Sequence, residues 1–590
     1  TNYTHAPRDI FGMGINVAGQ LIAKKEIDGK TYYSMSCNPD TPIEVGEGLR
    51  KRADNGGKGF ICGQVNNNLP FMYGDAMVEG STYDAIVDDP KYDFTLFAPP
   101  KVSVAPDDHM IGMYASSLVQ DGGTLQIGIG SLGDAICSGL ILRQDHNDVY
   151  TNALKDFGAF NNFGETIEHW GGTERFEEGL YGSSEMLVDG FVHLYKSGII
   201  KRKVWDNIPL QRILNEKKAT EKVGPEMLTA LMEKEAIHRR LTQRNFDFLQ
   251  HYGILKDDLK YHDGEIVNGS KSYSADLNDE NNFDKICADC LGKELKHGTI
   301  MHGAFFIGPQ GFYDALNEMS EEERKLFNMT SVQYVNQLYG GEEIKALQRQ
   351  KARFINAGMK VSIFGAIASD GLDDGRIVSG VGGQYNFVSM AHEMPDSRGI
   401  IMIKSTRTKH GKVISNVVFN YGHTTIPRHL KDIIVTEYGI ADVRGQPDKE
   451  VIARILNVTD SRFQEQLLQE AKKVKKIKSN YTIPDRFRNN TPEMLAQKLA
   501  PYQQKGYFDA FPLGKDLTDE EIVLIGSMRK LKNDLALKKV SLGKLGKAIT
   551  SVPSETIPYL QRMELDKPAS FKEKALQKVV VYALLTGGKM

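Results

Sequence analysis

Over residues 1–117 the apolar positions come in short clusters cut by glycines and prolines: SMSCNPD, KGFICGQVNNNLPFMYGDA and YDFTLFAPP. Clusters of that length between turn residues predict short strands of an α/β or α+β layer. From residue 118 the pattern sharpens. LVQDGGTLQIGIGSLGDAICSGLILR predicts a Gly turn, a strand over 124–127, a glycine loop and a helix that begins near Asp134. An acid there suits the positive end of a helix dipole. Residues 201–300 turn more polar and helical, as in EMLTALMEKEAIHRRLTQRNFDFLQ, and pass into HDGEIVNGSKSYSADLNDENN. They are expected to form an exposed insertion with no chemistry of its own. Val- and Ile-rich runs then return in KVSIFGAIAS, GRIVSGVGG, GIIMIKSTR, SNVVFN and DIIVTEYG, which predicts a largely buried sheet with covering helices. Beyond about residue 500, Ile522, Ile525, Leu531 and Leu535 fall at helical spacings and LQKVVVYALL closes a last helix. The fold class is therefore α/β. The expected units are an N-terminal α/β domain (1–117), a C-terminal catalytic α/β domain (118–500) carrying the 201–300 insertion, and a helical C-terminal extension (501–590).

Charge and cysteine usage narrow the function classes. The 590 residues carry 73 basic and 76 acidic side chains, a net charge of −3, which excludes a globally basic nucleic-acid or membrane binder. Lys472–Lys478, KKVKKIK, reads most simply as a solvated helix face and secondarily as a site for an anionic ligand. Five cysteines cannot build a disulfide framework, which suits a reducing compartment. The first residues lack the basic and apolar regions of a signal peptide, and VVVYALL (579–585) is too short to cross a bilayer. The expected location is cytoplasmic, with no nucleic-acid or membrane partner.

Five motifs carry candidate chemistry. GIGSLG, Gly128–Gly133, matches G-x-G-x-x-G between strand and helix. The polar RQDHNDVYTNALKD that follows shows no second strand, so a dinucleotide fold is disfavoured. What remains is a loop of free N–H groups beside a helix N-terminus, able to hold an oxyanion or a phosphate. Cys287 and Cys290, with His297 and His302, give four potential zinc ligands, but not at a finger's spacing; incidental cysteines are the simpler reading. GSSEMLVDGFVHL sets Glu185 and Asp189 four residues apart. Its plain reading is a helix start capped by Ser183 or Ser184, with acids in the first turn. SGVGGQYNF packs three glycines into a strand-to-loop turn where the backbone must approach a neighbour closely. VTEYGIADVRG carries Glu437, Asp442 and Arg444, charges that salt bridging alone would explain.

In order along the chain, TLQIGIGSLGDAI, SSEMLVDG, RIVSGVGGQYNF and IIVTEYGIADVRG resemble the acetyl-CoA hydrolase/transferase family, which includes 4-hydroxybutyrate and succinyl-CoA:acetate CoA-transferases. The resemblance spans roughly residues 35–465. It implies two related α/β halves, the active site lying largely on the second and closed by the first, and a homodimer or larger assembly. It places the nucleophile at Glu185 and the N–H donors to the thioester oxygen at Leu132 and Gly383. Gly128, Gly130, Thr330, Gly382 and Gln384 fall among the substrate-binding positions, and Glu437 matches an acidic residue beside the site. The substrates implied are acyl-CoA and a small carboxylate such as acetate or succinate. No metal or tightly bound cofactor is implied; coenzyme A thioester enters as substrate.

The chain departs from the family at MTSVQYVNQ, where members commonly carry Asn-Ser/Thr-Ala-x-Glu-x-Asp, so Thr330 replaces a substrate-facing Asn. The stretches between the glycine loop and Glu185 and over 201–300 are longer than usual, and the family's opening strand and Gly-rich turn have no counterpart after Thr1, as in a truncated chain. The expected reaction is acyl-CoA:carboxylate CoA transfer through a glutamyl-CoA thioester on Glu185. The alternative is hydrolysis of the same intermediate; a nucleotide-binding module built on GIGSLG is a third reading.

Overall fold

The protein is described by a computed structural model covering residues 2–409, 411–536, 539 and 542–587. It is a mixed α/β structure whose main sheets are rich in parallel strands. The central sheet has eight strands in the order Phe327–Met329, Met301–Phe306, Tyr181–Leu187, Thr124–Gln126, Ala352–Ala357, Arg398–Met402, Ile433–Thr436 and Gly439–Asp442. Neighbours run parallel except the last two, which form an antiparallel hairpin. Helices on the two faces hide the apolar rows. Met301, Phe354, Ile355, Ile400 and Ile433 are fully buried, as a parallel sheet requires. Helix Pro106–Ser116 is buried along most of its length and packs on helix Ser131–Asp145, where Gly112 allows the close approach: a Cβ there would lie 2.5 Å from the Ala135 backbone.

The first hundred residues build a second sheet, ordered Met77–Glu79, Lys30–Ser34, Val17–Ile27, Phe60–Val65 and Ala85–Val87, with helix Pro42–Asp54 against it. The eleven-residue strand Val17–Ile27 and this helix are elements that the punctuated reading of residues 1–117 does not predict. YDFTLFAPP, expected as a strand, forms none: its Phe94 and Phe97 carbonyls accept from the Asn66, Asn68 and Tyr313 side chains rather than from a neighbouring strand, and both rings are exposed.

Two further segments bury cores of their own. Val204 and Thr299 exchange backbone hydrogen bonds of 2.9 Å, and the chain between them packs Trp205, Leu210, Met227, Leu231, Leu249, Ile266 and Ile286 together. The stretch expected to be exposed is thus a small folded body, because Met227, Leu228 and Leu231 line one face of helix Pro225–Glu233. At the C-terminal end, helices Asp519–Ala536, Leu542–Thr550, Ile557–Arg562 and Phe571–Gly587 share a cluster that includes Leu524, Leu531, Leu560, Val580, Val581 and Leu584. Leu531 is buried there as its spacing predicts, whereas Leu535 is exposed.

A buried ion network ties the far edge of the central sheet. Arg398 donates to Asp432 at 2.7 Å and to Asp442, and its guanidinium stacks 4.3 Å over Trp170. Arg444 closes on Asp432 from the other side. Salt bridging therefore explains Asp442 and Arg444 of the VTEYGIADVRG motif; Glu437 stands outside the network. Among the described residues no helix is long and apolar enough to cross a membrane.

Candidate active site at the C-terminal edge of the central sheet

Glu185 lies in strand Tyr181–Leu187, not in a helix. The helix expected from GSSEMLVDGFVHL begins at Asp189, so the two acids do not share a helical face. The segment YGSSEML instead fills a central strand, buried at Tyr181, Gly182, Ser183, Ser184 and Leu187. Ser184 does not cap a helix; its hydroxyl donates to the Ile127 carbonyl at 3.1 Å, fixing this strand to the end of its neighbour. Leu125 pairs with Gly182, and continuing that register brings Gly128 alongside Glu185.

Two partners hold the Glu185 carboxylate. Asn336, at the end of helix Val332–Asn336, donates through Nδ2 to Oε2 at 2.6 Å. From the other side the Gly382–Gly383 turn closes in, and the Gly383 N–H acts on the same carboxylate. A Cβ on Gly382 would lie 2.7 Å from Oε1, and one on Gly383 2.7 Å from Oε2 and 2.8 Å from Asn336 Nδ2. The absence of side chains lets the backbone reach the carboxylate. The turn belongs to a loop over 369–383, not to the strand predicted from GRIVSGVGG; Ile377 and Val378 are exposed where a central strand would bury them. Burial raises the Glu185 pKa, Asn336 and the Gly383 N–H offset part of that rise, and Asp40 adds to it.

The glycine loop opens helix Ser131–Asp145, three residues earlier than the start expected at Asp134. Gly130 has φ +109°, a conformation open to glycine, while a Cβ on Gly133 would strike the Gly128 carbonyl at 2.1 Å. Leu132 sits in the first turn, where N–H groups have no intrahelical acceptor. Asp134 is pushed up to about 6 by burial and by Asp189. Asp189 in turn meets Lys101 at 2.9 Å and His193 at 3.3 Å. No strand follows this helix directly; Asn147–Asp156 is helical and the next strand is Tyr181–Leu187, so the position about 20 residues past the glycine loop, where a dinucleotide fold ends its second strand in an acid, falls within a helix.

The remaining predicted positions divide. Gln384 opens helix Gln384–Glu393 and donates to the Ala357 carbonyl at 2.8 Å, so it braces the glycine turn on the sheet. Thr330 stands in the same row of the sheet as Ala304 and Glu185, two strands away; its hydroxyl donates to Asp75 at 2.6 Å. Asp75 in turn lines a cavity of about 880 Å³ over the N-terminal sheet, together with Val17, Ile43, Val45 and Arg50. Glu437 lies four strand spacings from Glu185, about 19 Å at roughly 4.8 Å each. It does not share the Glu185 site. It is buried, accepts from the Ser405 N–H at 2.8 Å, and is pushed up to about 8 by burial. Cys287 and Cys290 belong to the 205–295 body, whereas His297 stacks on His251 and His302 bonds Tyr181 at 2.7 Å in the central sheet, so the four residues weighed as zinc ligands and set aside do not form one cluster.

The raised Glu437 pKa has a stability consequence. The folded state keeps a proton that the unfolded chain releases above about pH 4.5, so stability falls as pH climbs from there toward about 8. Urea unfolding followed by tryptophan fluorescence is expected to show this loss in the wild type, on the order of a few kcal/mol. Glu437→Gln, which cannot ionise, is expected to lack it.

Residues that the sequence reading did not single out complete the site. Tyr3 donates to Asp40, the Tyr3 N–H donates to the Val381 carbonyl at 3.2 Å, and Thr4 Oγ1 accepts from Asn336 at 3.1 Å. Ser331 donates to Glu44, and the Val332 N–H to the Asp40 carbonyl at 2.9 Å. The N-terminal residues therefore close over Glu185.

Residues 308–471 match the acetyl-CoA hydrolase/transferase C-terminal domain model, a span that includes Asn336, the glycine turn and Glu437 but not Glu185. The 4-hydroxybutyrate coenzyme A transferase of Clostridium kluyveri is 24% identical over 455 residues, 77% of this chain and 72% of that protein. The succinyl-CoA:cyclohexane-1-carboxylate CoA transferase of Geobacter metallireducens is 22% identical over 469 residues, 78% of this chain and 72% of that one. In fold, RipA from Yersinia pestis superposes with a TM-score of 0.50 at 22% identity, over 81% of this chain and 75% of that one. Residues 308–471 thus match an acetyl-CoA hydrolase/transferase C-terminal domain, and over about three quarters of its length the chain is similar to CoA-transferases.

Proposed function

We propose that the protein is an acyl-CoA:carboxylate CoA-transferase with Glu185 as nucleophile. The observation that carries this reading is the Glu185 carboxylate held between the Asn336 amide and the Gly382–Gly383 turn, beside a loop of free N–H groups. Glu185 attacks the thioester carbonyl and the C–S bond breaks, giving an acyl-glutamyl anhydride and CoA thiolate. The thiolate attacks the glutamyl carbonyl and expels the donor carboxylate, leaving glutamyl-CoA. An acceptor carboxylate then attacks glutamyl-CoA, and returning thiolate takes the acyl group from the new anhydride. In this reading each tetrahedral centre develops an oxyanion received by the Gly383 N–H, which already acts on Glu185, and by the Leu132 N–H that the family resemblance assigns, donors of a type worth about 3–4 kcal/mol apiece. Partial burial makes the carboxylate a better nucleophile than it is in water.

The test is exchange kinetics. CoA transfer from acetyl-CoA to an added carboxylate should far exceed release of free CoA; release without transfer marks a hydrolase. The pH profile adds a second check. The nucleophile must be ionised, and burial raises its pKa, so kcat/KM should rise with pH through a value above 4.5. Asn336 stabilises the ionised form, so Asn336→Leu should move that limb to higher pH; an unmoved limb contradicts its assignment to Glu185.

A further inference from the structure

Asn336 is fully buried, donates both Nδ2 hydrogens to Glu185 and Thr4, and leaves Oδ1 unpaired. No donor fixes this side chain through its own oxygen, so its aim at the nucleophile is set by the backbone that carries it. That backbone is the five-residue helix Val332–Asn336, followed by an extended Gln337. So short a helix leaves its last carbonyls without intrahelical donors. Gly340 and Gly341, at φ +77° and +142°, turn the chain back into helix Glu342–Gln348, which returns two cations to this stretch. Lys345 donates through Nζ to the Gln337 and Tyr339 carbonyls at 3.1 and 3.0 Å. Arg349, just past the helix end, donates through Nη2 to the Tyr334 carbonyl at 2.7 Å.

Lys345 is 2% exposed and Arg349 is fully buried, one helical turn away. Like charges so placed repel, and buried cations without a carboxylate are costly. Among the described residues no carboxylate acts on Arg349, and the one that acts on Lys345, Glu342, is exposed and accepts from the Gly341 N–H. Glu343 pairs outward with Arg212. The Tyr334 ring faces Lys345 at 5.0 Å, and His302, tilted against that ring, is held near 3, hence neutral, by burial and Arg349. What compensates the two cations is the row of carbonyls on either side of Asn336. Resting on the CoA-transferase reading, we infer that Lys345 and Arg349 are positioning residues for CoA transfer, setting the Asn336 amide on Glu185 through the carbonyls of Tyr334, Gln337 and Tyr339. Arg349 stays charged at any working pH. Burial and Arg349 lower Lys345 to about 8. Above that pH its bonds to Gln337 and Tyr339 lose their charge assistance, and the Asn336 amide loosens.

The experiment is the pH profile of Glu185–CoA formation from acetyl-CoA, read in single turnover by mass spectrometry. The wild-type rate constant should rise through the limb of the nucleophile and fall about tenfold above about pH 8. Lys345→Met should be about 10- to 10²-fold slower at pH 7. It should also lack the falling limb and carry the rising limb to higher pH, because Asn336 no longer favours ionised Glu185. Added to Asn336→Leu, it should cost less than about twofold more. A wild type without the falling limb overturns the inference, as does a Lys345→Met variant that keeps either limb in place or multiplies in full with Asn336→Leu. Glu437 titrates in the same range, and Glu437→Gln should keep the falling limb; its loss there overturns the assignment to Lys345. If Lys345→Met does not fold, Lys345→Arg, which stays charged, takes its place and should lose the falling limb alone. Adduct formation that stays flat above pH 8 overturns this inference and leaves the function standing; no adduct at any pH overturns the function as well.

Discussion

Glu185→Gln removes CoA transfer, by on the order of 10⁴-fold or more, the scale of loss when a covalent nucleophile is deleted. The substitution keeps the size of the side chain and its hydrogen bond to Asn336, so the fold stays intact and acyl-CoA binding persists. What disappears is the carboxylate nucleophile held against the glycine turn. The check is transfer kinetics beside a thermal unfolding curve. Transfer within tenfold of wild type would mean that another group forms the covalent bond, or that acyl transfer proceeds directly.

Gly383→Ala costs about 10²- to 10³-fold in kcat, the loss expected when one oxyanion donor is displaced. Its φ of −78° is open to alanine, so the backbone imposes no strain. The added methyl instead falls 2.7 Å from Glu185 Oε2 and 2.8 Å from Asn336 Nδ2, which pushes the turn away from the carboxylate. The separation between activity and stability is the informative result. Lost kcat with an unchanged melting temperature assigns Gly383 to the chemistry; parallel loss of both assigns it to packing.

The sequence reading reached the glycine loop and the glycine turn because each is local: a strand-length apolar run ends in residues that let a backbone approach closely; Glu185 was singled out only by the family resemblance, its own segment reading as a helix start. It failed where two periods fit equally well. Glu185 and Asp189 stand at a helical interval, yet YGSSEML is a central strand, because a short run buried on both faces carries no alternation to betray it. The reverse error occurs at GRIVSGVGG, whose β-branched residues suggest a strand but sit exposed in the loop that delivers the turn. Asn336, Asp40, Tyr3 and Thr4 were beyond reach for a different reason. Asn336 lies 151 residues from Glu185 and 332 from Thr4, and no local pattern records such a meeting. Glu437 shows the opposite case. Its motif is legible and its burial marked, but the strand order sets it far from the nucleophile.

The most direct measurement is peptide mass spectrometry on protein mixed with acetyl-CoA and trapped with borohydride. The account predicts a reduced side chain at Glu185, formed from the glutamyl-CoA thioester and absent in Glu185→Gln. An unmodified Glu185 in protein that still turns over acetyl-CoA would contradict it.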